Sequence, residues 1–324
     1  MSASGPPEAH ARIARELVLR TLLLARLPGE VDDARLGARL ADAIEELTLP
    51  DGEPLYGPGD TSEHVFVVAE GRVALVTERR RFAFGPGEPV GMLDALRRRP
   101  RAGRAWAEGG ARLLRFRVDD WLELLEDNFT HARHTVMGAA RLVHELSLST
   151  GAAGATAPGP PAPGVSLRPA ADLNDVERAL ALRAVPALQR ASVQALMDLA
   201  RLASGRALAP GDLVFEARRQ RHLYVVARGL VRARRRGEPP FELDFGPGSL
   251  VAGLGALAGL EEQFEARAVE PSLLVTFERE DYFDLMEDHF DVVRSALTAL
   301  IEERERLLSI EAPPAPSARL APLR

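Results

Sequence analysis

A stretch of 46 residues aligns with a second stretch of the same length in this chain, and this duplication limits its fold more than any other feature. Phe84–Phe129 aligns with Phe245–Phe290 at a constant offset of 161 residues, with 17 identities and no gap. Phe84-Gly-Pro-Gly87 returns as Phe245-Gly-Pro-Gly248, and the acidic-apolar run Asp120–Phe129 returns as Asp281–Phe290. Upstream, Leu55-Tyr56 has a counterpart in Val214-Phe215, and Val65–Val68 in Leu223–Val226. So long a period means two copies of one domain, not a solenoid. A length of 324 residues also suits two domains. The boundary falls in Thr150–Gly164, a Gly, Ala and Pro stretch that cannot build a core and reads as an extended linker. The expected division is a first domain with N-terminal helices at 1–149, a linker at 150–166, a second domain at 167–311 and a tail at 312–324.

Within the first copy the hydrophobic period is two. Leu47–Leu49, Pro54–Tyr56, Val65–Val68 and Arg72–Thr77 read as short strands. Asp51-Gly52, Gly57-Pro58-Gly59-Asp60 and Glu70-Gly71 separate them. Phe82 and Phe84 alternate as strand residues, and Gly85-Pro86-Gly87 ends that strand. An apolar helical turn, Met92–Leu96, an arginine loop and extended segments at Arg104–Ala107 and Ala111–Phe116 follow. Such punctuation implies a sandwich or small barrel. Helices are expected at Ala11–Ala25, Asp32–Glu45, Asp119–Asp127 and Thr130–Leu148, with a second long one at Val292–Ile310.

The chemistry concentrates between Gly91 and Ala102. A helix N-terminus facing an arginine can converge backbone N–H groups and a guanidinium on one phosphate. Gly91, the turn after it and Pro100-Arg101-Ala102 together resemble the phosphate-binding cassette of the cyclic-nucleotide-binding domain family. In that family a Gly-Glu pair opens the short helix, an arginine holds the cyclic phosphate and the glutamate holds the ribose hydroxyl. The resemblance implies a mainly β chain with flanking helices, two tandem β-rolls of the jelly-roll (double-stranded β-helix) kind. It also implies Gly91, Met92, Leu93, Arg101 and Ala102 as ligand-binding residues. Met92 stands where the family has glutamate. A thioether accepts no strong hydrogen bond, and a buried hydroxyl left unpaired costs about 1–3 kcal/mol. Glu88 belongs to the preceding turn and is out of register. In the second copy Gly91 maps to Ala252, Met92 to Gly253, Arg101 to Glu262 and Arg104 to Glu265. A carboxylate in place of the clamp repels a phosphate, so Ala252, Gly253 and Glu262 read as non-binding.

Composition excludes other chemistry. There is no cysteine, hence no disulfide framework, thiolate metal site or cysteine nucleophile. There is no lysine, hence no Schiff-base or P-loop lysine. A net charge of −6 argues against general nucleic-acid binding. Arg79–Arg81, Arg97–Arg99 and Arg234–Arg236 read as solvated loops able to dock an acidic partner. His64 and His222 stand alone at strand starts, and no His-x-His occurs. His131 and His134 have metal-compatible helical spacing but read as a solvated face. The N-terminus lacks a signal-peptide pattern, and Leu22-Leu23-Leu24 is too short to span a bilayer, which points to a cytoplasmic protein.

Three functions follow. The first is a non-catalytic regulatory or scaffold protein acting through contacts with another protein, with homodimerisation through a long helix and neither DNA nor membrane as partner. The second is a sensor of a cyclic nucleotide or other small phosphorylated ligand, held in the first roll through Arg101. The third is a cupin-like metalloenzyme. The first two require no cofactor beyond the cyclic nucleotide as ligand; the third would need a metal, for which no ligands are assigned.

Overall fold

The computed structural model describes residues 44–78, 80–149, 173–218, 220–235, 241–251, 253–261 and 264–311. The helix expected at Ala11–Ala25, nearly all of the one expected at Asp32–Glu45, the linker, the tail, Arg79, Ala252 and Glu262 lie outside the described residues. Glu45, expected to close a helix, instead opens a strand. The chain forms two compact units, one of Met1–Asn128 with Glu305–Arg324, the other Phe129–Arg304.

The first unit is an antiparallel β-roll. Its strands are β1 (Glu45–Leu49), β2 (Pro54–Tyr56), β3 (His64–Thr77), β4 (Arg81–Phe84), β5 (Pro89–Val90) and β6 (Gly103–Arg117). They pair in the order β1-β6-β3-β4, with β2 added on β6 and β5 on β3. Helix α1 (Met92–Leu96) lies between β5 and β6, and α2 (Val118–Asp127) follows β6. Tyr56, Phe66, Val68, Val73, Phe84, Ala105 and Leu113 meet inside the roll.

Two expected strand breaks are absent. Val65–Val68 and Arg72–Thr77 are halves of β3, and Arg104–Ala107 and Ala111–Phe116 are halves of β6. Glu70-Gly71 is a bulge, not a turn: the register shifts there, yet Glu70 pairs with Arg112 and Gly71 with Ala111. Gly71 (φ 81), Gly109 (φ 74) and Gly110 (φ 86) take left-handed backbone, so the two long strands bend together without parting. The turn signal in the sequence was real; partner pairing converted it into a bend.

The second unit repeats this plan. After α3 (Phe129–Ser149), α4 (Asp175–Arg183), a 3₁₀ turn (Pro186–Leu188) and α5 (Val193–Leu202) come eight strands. These are β7 (Ser204–Leu208), β8 (Leu213–Phe215), β9 (His222–Arg228), β10 (Val231–Arg235), β11 (Phe241–Phe245), β12 (Leu250–Val251), β13 (Glu265–Ala268) and β14 (Ser272–Glu278). They form antiparallel sheets β11-β10-β13-β8 and β12-β9-β14-β7. Helix α6 (Gly253–Ala258) sits where α1 sits in the first roll; α7 (Arg279–Asp288) and α8 (Phe290–Glu311) close the unit, although the last turns of α8 belong to the first. The duplication is exact in its pairing. Val73 opposes Phe84 and Ala107, as Val231 opposes Phe245 and Ala268. Tyr56 opposes Ala105, as Phe215 opposes Ala266.

Helix α3 packs against α6. Its buried residues Ala132, Val136, Ala139, Ala140 and Val143 recur at helical spacing. Arg133 reaches Glu280 at 2.7 Å and lies 4.3 Å from the Phe283 ring centroid. This packing overturns the solvated reading of His131, which is buried. The arginine runs are largely exposed, as solvated loops are, and carry surface ion pairs: Arg98 meets Asp119 at 3.0 Å, Arg99 meets Asp94 at 2.7 Å and Arg234 meets Glu242 at 2.8 Å.

A Cβ added to Gly71 would overlap the Gly110 carbonyl oxygen, whereas one on Gly109 would meet nothing within 4 Å. Left-handed backbone alone costs an Ala about 1–2 kcal/mol. Gly109→Ala is therefore expected to cost about that much in urea unfolding, and Gly71→Ala clearly more; equal losses would rule out the close strand approach as the reason for Gly71.

Candidate ligand-binding site

The site is built where α1 meets the loop before β6. Gly91 is the N-cap of α1 with φ 78, a conformation open to glycine. A side chain there would also overlap Nη1 of Arg101. Arg101 Nη1 donates to the Gly91 carbonyl at 2.7 Å, and Nη2 donates to the His64 carbonyl. The guanidinium is 3% exposed. It lies 4.4 Å from the Tyr56 ring centroid and 5.9 Å from that of Phe66, two rings stacked at 6.1 Å. Such a cation over an aromatic face gains about 2 kcal/mol when water is excluded. It makes no ion pair among the described residues, and its Nε has no hydrogen-bond partner there; neither has the Tyr56 hydroxyl. Burial pulls the Arg101 pKa below its ordinary value, while Tyr56, Asp94 and Asp60 oppose the shift.

The backbone of Arg101 is clamped separately. Its N–H donates to the Asp60 carbonyl and its carbonyl accepts from Gly59, both at 2.9 Å. The Asp60 carboxylate caps that turn by accepting from the Gly57 N–H at 2.7 Å. Asp94 ties the loop to α1, accepting from Arg99 Nε at 2.7 Å and from the Ala102 N–H at 3.1 Å. Ser62 Oγ adds a 2.6 Å bond to the Arg99 carbonyl. Gly91, Arg101 and Ala102 thus come together as the spacing implied, with Met92 and Leu93 buried beside them. Glu88 accepts from the Gly85 N–H at 2.8 Å within its own turn.

Tyr56, Phe66, Asp60 and Asp94 were not legible as site residues. One signal existed, because the Tyr56 and Phe66 positions are aromatic in both copies, as Phe215 and Tyr224. Asp94 gave none, since its partners lie across a loop. From the C-terminal end of α8, Leu308 packs against the core that contains Tyr56 and Phe66.

The second roll keeps the frame and loses the cation. Phe215 and Tyr224 stack at 5.5 Å, and Phe264 covers Phe215 at 5.9 Å where Arg101 covers Tyr56. The sequence offset aligns Phe264 with Gly103, so this replacement is visible only in space. Gly255 stands at the Asp94 position. Gly253 is the first residue of α6, and Glu262 lies outside the described residues.

The family model of the cyclic nucleotide-binding domain matches this chain twice, at residues 46–128 and 205–289, together just over half of its length. The chain belongs to the cyclic nucleotide-binding domain family. Both rolls are therefore members, the second with an aromatic ring in place of the clamp. Lysophospholipase NTE1 of Pyricularia oryzae is 34% identical over 80 residues, 23% of this chain and 5% of that protein, so the chain spans about one twentieth of the length of this relative. The regulatory domain of Toxoplasma gondii PKA, solved with cAMP, aligns over 91% of this chain and 98% of its own at 17% identity and a TM-score of 0.34. Thermus thermophilus catabolite activator protein aligns over 37% of this chain and 58% of its own at 28% identity and a TM-score of 0.33. Family membership rests on the two matched regions.

Among the described residues no group of three or more His, Asp or Glu is placed to hold a metal, and no helix is long and apolar enough to cross a membrane.

The three tyrosines share one electrostatic property. Burial pushes the phenols of Tyr56, Tyr224 and Tyr282 above the ordinary 10.0, for Tyr56 against the pull of Arg101. A pKa raised by folding adds stability that is complete below the unfolded value and lost as pH rises beyond it. Stability is expected to hold up to about pH 10 and to fall above it, with tyrosinate absorbance appearing together with unfolding. Tyrosinate that forms in the native protein near its ordinary pKa would contradict the buried cage.

Proposed function

We propose that this chain is a non-catalytic regulatory protein whose first roll binds the phosphate of a cyclic nucleotide, or of another small phosphorylated ligand, through Arg101. The observation that carries the reading is a buried guanidinium with no carboxylate in ion-pair reach among the described residues. An uncompensated buried charge is costly, and an anion relieves it. Of the five guanidinium N–H groups, two meet backbone carbonyls and the rest remain for a phosphate. Met92 offers no acceptor for a ribose hydroxyl, which supports a site that grips phosphate more than sugar. The second roll, with Phe264 over its aromatic pair, binds no nucleotide and serves contacts with a protein partner.

A second reading makes both rolls degenerate and the chain a scaffold. It is favoured by Met92 and by the bonds that already tie Arg101 to two carbonyls.

Calorimetric titration of cyclic AMP and cyclic GMP separates the two. The sensor reading expects a single site per chain, weakened in Arg101→Ala by about 1.5–3 kcal/mol, roughly ten- to a hundredfold, the worth of hydrogen bonds to a charged group. Met92→Glu is expected to tighten binding, and Phe264→Ala to add no second site. No heat with wild type, for these nucleotides or for a panel of other phosphorylated compounds, would leave the scaffold reading.

A further inference from the structure

The second unit holds a cavity of about 80 Å³ that the nucleotide chemistry does not use. Phe245, Leu254, Leu257, Phe264 and Leu300 wall it with carbon. Along α8 the lining runs from Ala296 to Glu303, about 10 Å at the helical rise of 1.5 Å per residue. The space is several times the roughly 10–15 Å³ that one water needs. It is well below the roughly 300–1,000 Å³ of pockets that enclose drug-sized molecules. One ring or a short alkyl chain matches it.

One polar group in the lining is unusual. His144, on α3, is 8% exposed. Its ring makes no hydrogen bond to any described residue, while its backbone carbonyl accepts from Ser147 Oγ at 2.7 Å. Burial holds its pKa below that of an ordinary histidine, which favours the neutral ring. A neutral imidazole offers one N–H donor and one lone pair. With no described residue bonded to the ring, a hydroxyl entering the cavity can meet either. No arginine is among the described lining residues, which disfavours an anionic head group.

We propose that this cavity binds a small uncharged amphiphile, a single ring or short alkyl chain bearing one hydroxyl, with His144 as its hydrogen-bond partner. The site involves neither Arg101 nor the first roll, so it stands or falls separately from the nucleotide reading.

The test uses benzyl alcohol and its hydroxyl-free analogue toluene, titrated into the full chain and followed by protein NMR. Saturable binding of both is expected, with benzyl alcohol the tighter. His144→Leu keeps an apolar wall and a good helix former, and should weaken benzyl alcohol by about tenfold, the effect of one lost hydrogen bond, while leaving toluene nearly unchanged. Ala299→Phe fills the space and should abolish both, and Arg101→Ala should alter neither. The proposal is overturned if neither compound saturates, if toluene binds as well as benzyl alcohol, or if His144→Leu affects the two alike.

Discussion

A guanidinium buried over a stacked aromatic pair is the interaction on which the candidate site of the first roll depends. Arg101 has to lose its water to lie 4.4 Å from Tyr56, and each neighbour answers that loss. The Gly91 and His64 carbonyls accept from it, and the Tyr56 and Phe66 rings face it. Gly91 has to be glycine twice over, for its left-handed backbone and for the space the guanidinium fills. Asp94 and the Gly57–Asp60 turn then hold the backbone on either side of the arginine, so the cation is placed by three segments, around Tyr56–Asp60, His64–Phe66 and Gly91–Asp94.

The second roll shows how little of this the fold itself requires. Its strands pair as in the first roll, and its aromatic pair stacks slightly closer, at 5.5 Å against 6.1 Å. Phe264 replaces a cation that needs partners with a ring that needs none. A roll stands on ladder pairing and on inward-facing side chains, while its chemistry rides on one loop. The two copies therefore share the domain and differ in what covers the aromatic pair, a cation in the first and a ring in the second.

Helix α3 illustrates the same economy on a larger scale. It follows the first roll in sequence but belongs to the second unit, where Arg133 is fixed between Glu280 and Phe283. Small residues, Ala139 and Ala140 on α3 and Ala256 and Ala258 on α6, are buried where these two helices pack. His144 is carried on the same helix, so the polar group in the apolar cavity is presented by a segment that sequence order assigns elsewhere.

Much of the fold was legible because it is written in local terms. The repeat at 161 residues, the period-two strands, the turn after Phe84 and the spacing from Gly91 to Arg101 are all properties of neighbouring residues. They determined the tandem β-rolls and the place of Arg101 in the loop after α1. The rest depends on residues that meet across the chain. Glycine at 71 signals a break, and only the facing Gly109 and Gly110 turn it into a bend within one long strand. His131 has the spacing of a solvated pair, and only the packing of α3 on α6 buries it. Phe264 aligns with Gly103, and only the closed roll brings it over Phe215. Sequence alone determined the interval from Gly91 to Arg101, because spacing along one loop is local; tertiary structure decided which ring or cation covers each aromatic pair, because that contact joins strands and loops far apart in the chain.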